Sequence, residues 1–264
     1  GKFRLSPAAP YFEPLTTLTY LAGCTERIRL GTHVLILPYR NPLVTAKVVA
    51  TLDVLSGGRV DLGIGAGWMR EEFEALGYDY FERRGAVTDE QIRVMQRLWT
   101  EALPAFEGEF YRFPPLGAQP HPLQQPHPPI WVGGHTRAAI RRAARLGDGW
   151  LPIGARPPAD LPPEEIAAGL ASLRRQARRA GRDPEAIRLG FSTGVTVTDG
   201  GGGGGARRPF HGPPEAVAGD LRRYRAVGVT TFVLGFGATG KDDLVARLRR
   251  FAEEVRPRVR DATP

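Results

Sequence analysis

The 264 residues include a single cysteine, Cys24, and two methionines. One thiol cannot close an internal disulfide, and no Cys/His cluster stands at zinc-ligand spacing. A disulfide scaffold and a zinc module are therefore excluded, no metal site is expected, and the expected compartment is the cytoplasm. Lysine is almost as scarce: Lys2, Lys47 and Lys241 are the only three among 36 basic residues, the rest being arginine. Apolar runs are short, Val34 to Leu37 being typical, against the roughly 20 residues that cross a bilayer. No H-E-x-x-H, no G-x-S-x-G turn and no Ser/His/Asp order is present, which leaves hydrolase chemistry without support. The net charge of +8 would by itself suit an acidic partner. The arginines, however, stand at helical spacing beside acids, and no basic run is interleaved with aromatics as a single-strand platform requires. Neither nucleic acid nor a membrane is expected as a partner.

What is present is the composition of a globular chain, 42% hydrophobic and 24% charged. Short β-branched runs alternate with longer amphipathic stretches, the signature of βα units and a parallel sheet. The strand candidates are Ile28 to Leu37, Arg59 to Gly65, Pro129 to Gly133, Gly149 to Ile153, Ile187 to Thr198 and Thr231 to Gly235. Helices are predicted near Pro14 to Cys24, Pro42 to Leu55, Arg70 to Leu76, Thr88 to Glu101, Arg137 to Leu146, Pro163 to Ala180, Pro214 to Val227 and Lys241 to Val255. Thr88, Asp89 and Glu90 read as a cap and early acids for the fourth of these. Phe113 to Pro129 reads as an extended proline-rich segment, and Gly200 to Gly205 as a run too glycine-rich to order on its own. The first convincing element is a helix before a strand, so a closed barrel would lack strands upstream and leave Ile28 to Leu37 and Thr231 to Gly235 as edges.

Two strand ends carry candidate chemistry. Arg59 to Trp68 ends in the alternating glycines Gly63, Gly65 and Gly67, which let backbone approach a ligand but lack the third glycine of a dinucleotide fingerprint. Pro129-Ile130-Trp131-Val132-Gly133-Gly134-His135-Thr136 runs through two glycines into a helix, leaving N–H groups that attract phosphate, with the Thr136 hydroxyl either adding a donor or capping the helix. Trp68, Trp131 and Trp150 lie near strand ends, where core packing and stacking on a planar cofactor explain them equally well. His33 reads as a core residue, while His121 and His127 read as surface residues.

Taken together, six phrases resemble the bacterial luciferase-like oxidoreductases, especially the branch that uses the deazaflavin coenzyme F-420. They are Arg27 to Thr32, Asn41-Pro42, Thr51 to Arg59, Gly63 to Trp68 followed by Glu71-Glu72-Phe73, Pro129 to Thr136, and Leu146 to Trp150, in matching order and spacing over Tyr11 to Phe251. The resemblance implies an α/β fold, a single (β/α)₈ TIM-barrel domain of the luciferase-like type over residues 1–264, whose first two strands are missing. It implies a flavin- or deazaflavin-dependent oxidoreductase acting on a small organic substrate, by hydride transfer with coenzyme F-420 (favoured) or by FMN-dependent monooxygenation. It places a cis-peptide bulge at Thr32-His33 behind the cofactor ring and the cofactor phosphate at Gly133, Gly134 and Thr136, with Ala66 and Gly67 alongside. It also implies a homodimer, although no apolar patch visible in the sequence marks its face. Trp68 stands where sugar-phosphate dehydrogenases of the superfamily carry a catalytic Glu, so no catalytic residue is assigned. Gly200 to His211 is a candidate lid. The alternative readings are a catalytically inactive cofactor-binding or structural relative of the same fold, and an open doubly wound sheet that binds a nucleotide.

Overall fold

Between Leu30 and Leu35 five steps of chain stand against four from Val60 to Ile64, so the first strand candidate is not one strand but two, separated by a bulge. The computed structural model describes residues 10–155, 159–200 and 207–260. The chain divides into two units, residues 1–131 and 132–264.

The first unit contains helix α1 (Pro14–Cys24), strands β1 (Leu30–Gly31) and β2 (Leu35–Ile36), helix α2 (Pro42–Leu55), strand β3 (Val60–Gly65), helices α3 (Arg70–Ala75) and α4 (Arg84–Thr100), and the antiparallel pair β4 (Phe106–Glu107) and β5 (Arg112–Phe113). Strands β1 and β2 both run parallel to β3. On the other side of β3, the Leu62 N–H donates to Pro129 O at 2.9 Å, just before strand β6 (Ile130–Gly133), within which the unit boundary falls. Helix α2 starts where the sequence predicts it: the Asn41 side chain accepts from Leu43 N at 2.9 Å and Pro42 takes the first helical position. The core is apolar and closed, with Val49, Leu62, Ile64, Phe73, Ile92 and Met95 fully buried.

The cause of the bulge is legible in β3. A Cβ built on Gly63 would lie 2.0 Å from the Thr32 carbonyl oxygen, so only glycine lets the bulge rest on the strand. The Thr32 hydroxyl donates to Gly63 O at 2.6 Å and ties the two together. The non-proline cis bond is His33–Val34, one residue beyond the bond the resemblance marks.

The second unit follows β6 with helix α5 (Arg137–Leu146), strand β7 (Gly149–Leu151), helix α6 (Pro163–Arg179), strands β8 (Arg188–Gly194), β9 (Thr196–Val197) and β10 (His211–Gly212), helix α7 (Pro214–Ala226), strand β11 (Thr231–Gly235), and helices α8 (Lys241–Arg250) and α9 (Arg256–Arg260). Strand β8 lies between β7 and β11, all parallel. Its aromatic core joins Phe191 to Tyr224 at 4.3 Å and Phe210 to Tyr224 at 5.1 Å between ring centroids.

Two predicted helices also differ from the structure. Helix α4 begins at Arg84, and Thr88 is a buried interior residue whose hydroxyl donates to Arg84 O at 2.7 Å. Glu90, read as an early acid, turns inward instead and accepts the N–H groups of Glu109, Phe110 and Tyr111 at 2.7 to 2.9 Å, shaping the β4–β5 turn. The last predicted helix is interrupted by a π-turn over Phe251–Val255, which sets Phe251 edge-on against Phe236 and buries Val255. Among the described residues no helix is long and apolar enough to cross a membrane.

Two glycine substitutions separate tertiary fit from intrinsic propensity. Gly63→Ala is expected to cost about 3 kcal/mol or more, because backbone rather than a flexible side chain must move. Gly23→Ala, in α1 with nothing within 4 Å of the new methyl, should stabilise by about 0.5–1 kcal/mol. Urea denaturation of both variants checks the opposite signs.

Candidate functional site

The resemblance points to two groups of residues, and each unit assembles one of them. In the first unit Thr32, His33, Ala66 and Gly67 stand where the bulge meets the carboxyl end of β3. Thr32 is buried and its hydroxyl is spent on Gly63 O, so its role is architectural, whereas His33 is exposed rather than a core residue. Gly67 adopts φ +79°, and a Cβ there would meet the Phe73 ring at 2.9 Å. Phe73 itself packs edge-on with Tyr39 and Phe81 at 4.8 and 5.2 Å. Arg84 stacks over Phe81 at 4.2 Å and donates from Nε to Gly67 O at 3.1 Å, so the turn is held from beneath and from one side. Sequence reasoning missed Arg84: it lies 17 residues from Gly67, and nothing local marks an arginine as a carbonyl holder.

The three tryptophans resolve differently. Trp131 is buried and its indole N–H reaches Asp61 Oδ1 at 3.2 Å. Trp150 is buried in the second unit. Trp68, directly after Gly67, is 58% exposed and is the one whose ring is open to a planar ligand.

In the second unit the Gly133-Gly134-His135-Thr136 junction carries β6 into α5. Its backbone is pinned twice: the Gly134 N–H donates to Leu151 O at 3.2 Å, and the Trp150 indole N–H donates to Gly134 O at 2.8 Å. Gly134 has φ +100° and a Cβ there would crowd Ala139 at 3.4 Å. Thr136 is the N-cap, its hydroxyl accepting from Ala139 N at 3.2 Å. The capping role therefore occupies this hydroxyl, and what remains for a ligand are the first-turn N–H groups of Arg137 and Ala138, which no helix satisfies internally. Exposed positions 135 to 138 surround them. A glycine turn fixed at both ends, unpaired amides and the positive end of a ten-residue helix fit a phosphate group.

Part of the candidate lid has its own structure. Residues 201–206, most of the glycine run, lie outside the described residues, but Arg207 to His211 are clamped. The Arg207 guanidinium forms a bidentate pair with Asp220 at 2.6 and 2.8 Å, Phe210 N donates to the same carboxylate at 2.7 Å, and the Phe210 ring is fully buried. Strand β10 then pairs with β9, His211 facing Thr196. Burial pushes the Asp220 carboxyl up, but Arg207, the Phe210 N–H and Arg223 outweigh it and hold it below the usual carboxylate range. His211 is pushed the other way for an imidazole, down, by burial and by Arg208 and Arg207.

The family model for luciferase-like monooxygenases matches residues 3–201, and the chain belongs to this family, as the motif resemblance implies. Its fold is accordingly the α/β, TIM-barrel-type fold of that family. An FMNH(2)-dependent dimethylsulfone monooxygenase of Pseudomonas putida is 33% identical over 189 residues, which are 71% of this chain and 49% of that protein. The chain thus spans about half the length of that relative. Among solved structures, monooxygenase RslO1 from Streptomyces bottropensis superposes with a TM-score of 0.78 at 28% identity, covering 93% of this chain and 82% of that one. The coenzyme F420-dependent tetrahydromethanopterin reductase from Methanopyrus kandleri gives 0.76 at 18% identity, covering 93% and 87%, a likeness of fold. The Pseudomonas putida relative is thus named for FMNH(2), and the Methanopyrus kandleri structure of like fold for coenzyme F420.

The Asp220 clamp predicts an acid limb. A carboxyl whose folded-state pKa is depressed binds protons more readily in the unfolded chain. Its stabilisation is complete above the unfolded value, about 3.9, and is lost as pH falls through the folded one. Asp220→Asn should lower stability at pH 7 and remove part of the loss that the wild type shows on acidification below about pH 5, as read by urea midpoints across pH.

Proposed function

We propose that the chain is the cofactor-binding body of an oxidoreductase that takes reduced FMN and oxygenates a small organic molecule. The observation that carries this reading is the pinned Gly133–Thr136 junction with its unpaired first-turn amides, in a member of a family whose 33%-identical relative is named for FMNH(2). When bound, such a cofactor supplies two-electron chemistry, and the protein supplies position and shelter from water. Arg137 N, Ala138 N and the Gly134 backbone would hold the phosphate. Within the first unit, taken by itself, Trp68 offers an exposed ring face to a planar group, beside the bulge that the resemblance associates with a cofactor ring. Coenzyme F-420 carries a phosphate as well, so the same junction serves the deazaflavin reading.

Anaerobic titration of the purified chain with reduced FMN and, separately, with reduced coenzyme F-420 tests the proposal. Saturable FMN binding with a Kd of about 10 μM or tighter is the expected result. Binding of F-420 alone would replace oxygenation by hydride transfer, and binding of neither by a folded chain would overturn the reading. Two substitutions refine it. Trp68→Ala should weaken binding about ten-fold, the loss of one stacked ring, while leaving the melting temperature nearly unchanged because the side chain is exposed. Trp150→Phe should weaken binding through the released Gly134 carbonyl and also destabilise the fold by about 1–2 kcal/mol.

A further inference from the structure

The arginines of α5 and α6 are used differently from the rest. Elsewhere most arginines sit on an acid or a backbone carbonyl, as Arg207 does on Asp220 and Arg84 on Gly67 O. Helix α5 contains four arginines and no acid, and the two acids of α6, Glu164 and Glu165, lie in its first turn, far from Arg175, Arg178 and Arg179. Among the described residues, Arg137, Arg141, Arg145, Arg175, Arg178 and Arg179 are all exposed, and their guanidinium groups have no acid, carbonyl or ring partner. Arg137, Arg141 and Arg145 stand four apart and form one row about 12 Å long on α5. Arg175 and Arg179 repeat that spacing on α6. The two rows belong to one surface of the second unit, because α5 packs on α6. Arg182, just past α6, donates to Ala143 O and Ala144 O at 3.3 and 3.2 Å and draws the ends of the two helices together.

Stability does not account for these rows. Like charges four residues apart destabilise a helix, and Arg137 stands in the first turn, at the positive end of the dipole. Only Arg145, Arg178 and Arg179, in the last turns, lie where the dipole favours a cation. Acids at positions 141 and 175 would suit the isolated fold better, so the rows point to an anionic partner outside the chain.

We propose that this face docks a protein partner through an acidic helix laid along α5 and α6, its carboxylates facing the two arginine rows. The repeat matches: acids four apart on a partner helix recur every 6 Å or so, as the arginines of each row do. The guanidinium fork takes a carboxylate through two hydrogen bonds at once, and the face is made of arginine without a single lysine. Exposed Ala138 on α5 and exposed Ala168 and Ala171 on α6 keep the surface beside the rows low, so that a third helix can approach closely. Other anionic partners fit less well. Neither helix contains an aromatic residue on which single-stranded bases could stack. None of the exposed large apolar side chains of the chain lies on α5 or α6, so nothing here inserts into a membrane.

The test needs no cofactor. The whole chain is titrated against a fluorescein-labelled, alanine-based helical peptide of about 20 residues with glutamate at every fourth position. Anisotropy at about 50 mM salt should show saturable binding with a Kd of about 10 μM or tighter, weakening as salt is raised. Arg137 borders the phosphate-fitting junction and is left untouched. Arg141→Glu with Arg175→Glu should weaken binding at least about ten-fold while the melting temperature holds or rises, since each new acid stands four residues before an arginine, at 145 and 179. Arg27→Glu with Arg249→Glu, two exposed positions off this face, changes the net charge equally and should leave the Kd within about two-fold. No binding to the wild-type chain overturns the proposal, and so does an equal loss in both pairs, which marks an effect of net charge alone. A DNA duplex of about 20 base pairs and phosphatidylserine–phosphatidylcholine vesicles are titrated in parallel. If binding of either of these, and not of the peptide, depends on Arg141 and Arg175, the partner class is wrong and the proposal falls. Should the glutamate pair fail to fold, Arg141→Gln with Arg175→Gln repeats the test by removing the forks without adding charge of the opposite sign.

Discussion

The contact on which the first unit depends is the one between the Thr32 carbonyl and the empty side of Gly63. A methyl group there would sit 2.0 Å from a carbonyl oxygen, well inside contact distance, and neither partner can rotate away because both are backbone. The bulge therefore exists only while residue 63 is glycine. Its consequences run outward along β3. Val34 reaches over Gly65, the next inward glycine, and the ladder resumes one residue out of step at Leu35 and Ile64. The strand ends at Gly65, and the left-handed turn at Gly67 settles on the Phe73 ring and presents Trp68 to solvent. What the sequence displays as a glycine-rich turn is thus first a packing requirement. Its ability to admit a ligand follows from that.

The motifs that announce the family are mostly of this structural kind. In Thr51 to Arg59, Asp53 is buried and receives both the N–H and the side-chain amide of Gln124, which secures the proline-rich segment. The Arg59 guanidinium donates to the carbonyl oxygens of Ala22, Thr25, Ile28 and Ser56 at 2.5 to 3.0 Å, binding the end of α1 to the start of β3. In Leu146 to Trp150, the indole of the last residue holds Gly134. In each of these phrases a side chain holds a backbone group of a distant segment. That is why they reveal a fold more readily than a reaction.

Most element positions were legible because the hydrophobic period and local caps determine them: Pro14 to Cys24, Pro42 to Leu55, Arg137 to Leu146 and Thr231 to Gly235 match the structure residue for residue. The phosphate-fitting junction was legible too, since two glycines before a helix start have a local meaning. What escaped was whatever a distant partner decides. A single extra residue in a strand does not disturb a continuous apolar run such as Val34 to Leu37, so the break into β1 and β2 is absent from the hydrophobic period and was marked only by the family resemblance, at Thr32-His33. Thr88-Asp89-Glu90 has the form of a helix start, but Glu90 answers to amides about 20 residues away, and the helix runs straight through. Arg207 and Asp220 likewise stand 13 residues apart in the sequence and meet only in the folded unit, where β10 lies beside β9.

The same reasoning accounts for the arginine excess. Arg59 at the end of α1 and Arg182 at the end of α5 donate to carbonyl oxygens of the last helical turns, Ala22 in one case and Ala143 and Ala144 in the other. Arg225 does so for Val259 in α9, Arg84 for Gly67 and Phe81, and Arg208 for Ala155, a residue with φ +50°. A planar guanidinium with five donors can bridge several carbonyls at once, which a lysine ammonium on a flexible stem does less well. An arginine that donates to neutral carbonyls adds a positive charge without requiring an acid beside it. Closing helix ends in this way contributes to a surplus of +8 in a chain whose basic residues are almost wholly arginine. The charge is a consequence of how the chain holds its own backbone before it is a signal to any partner.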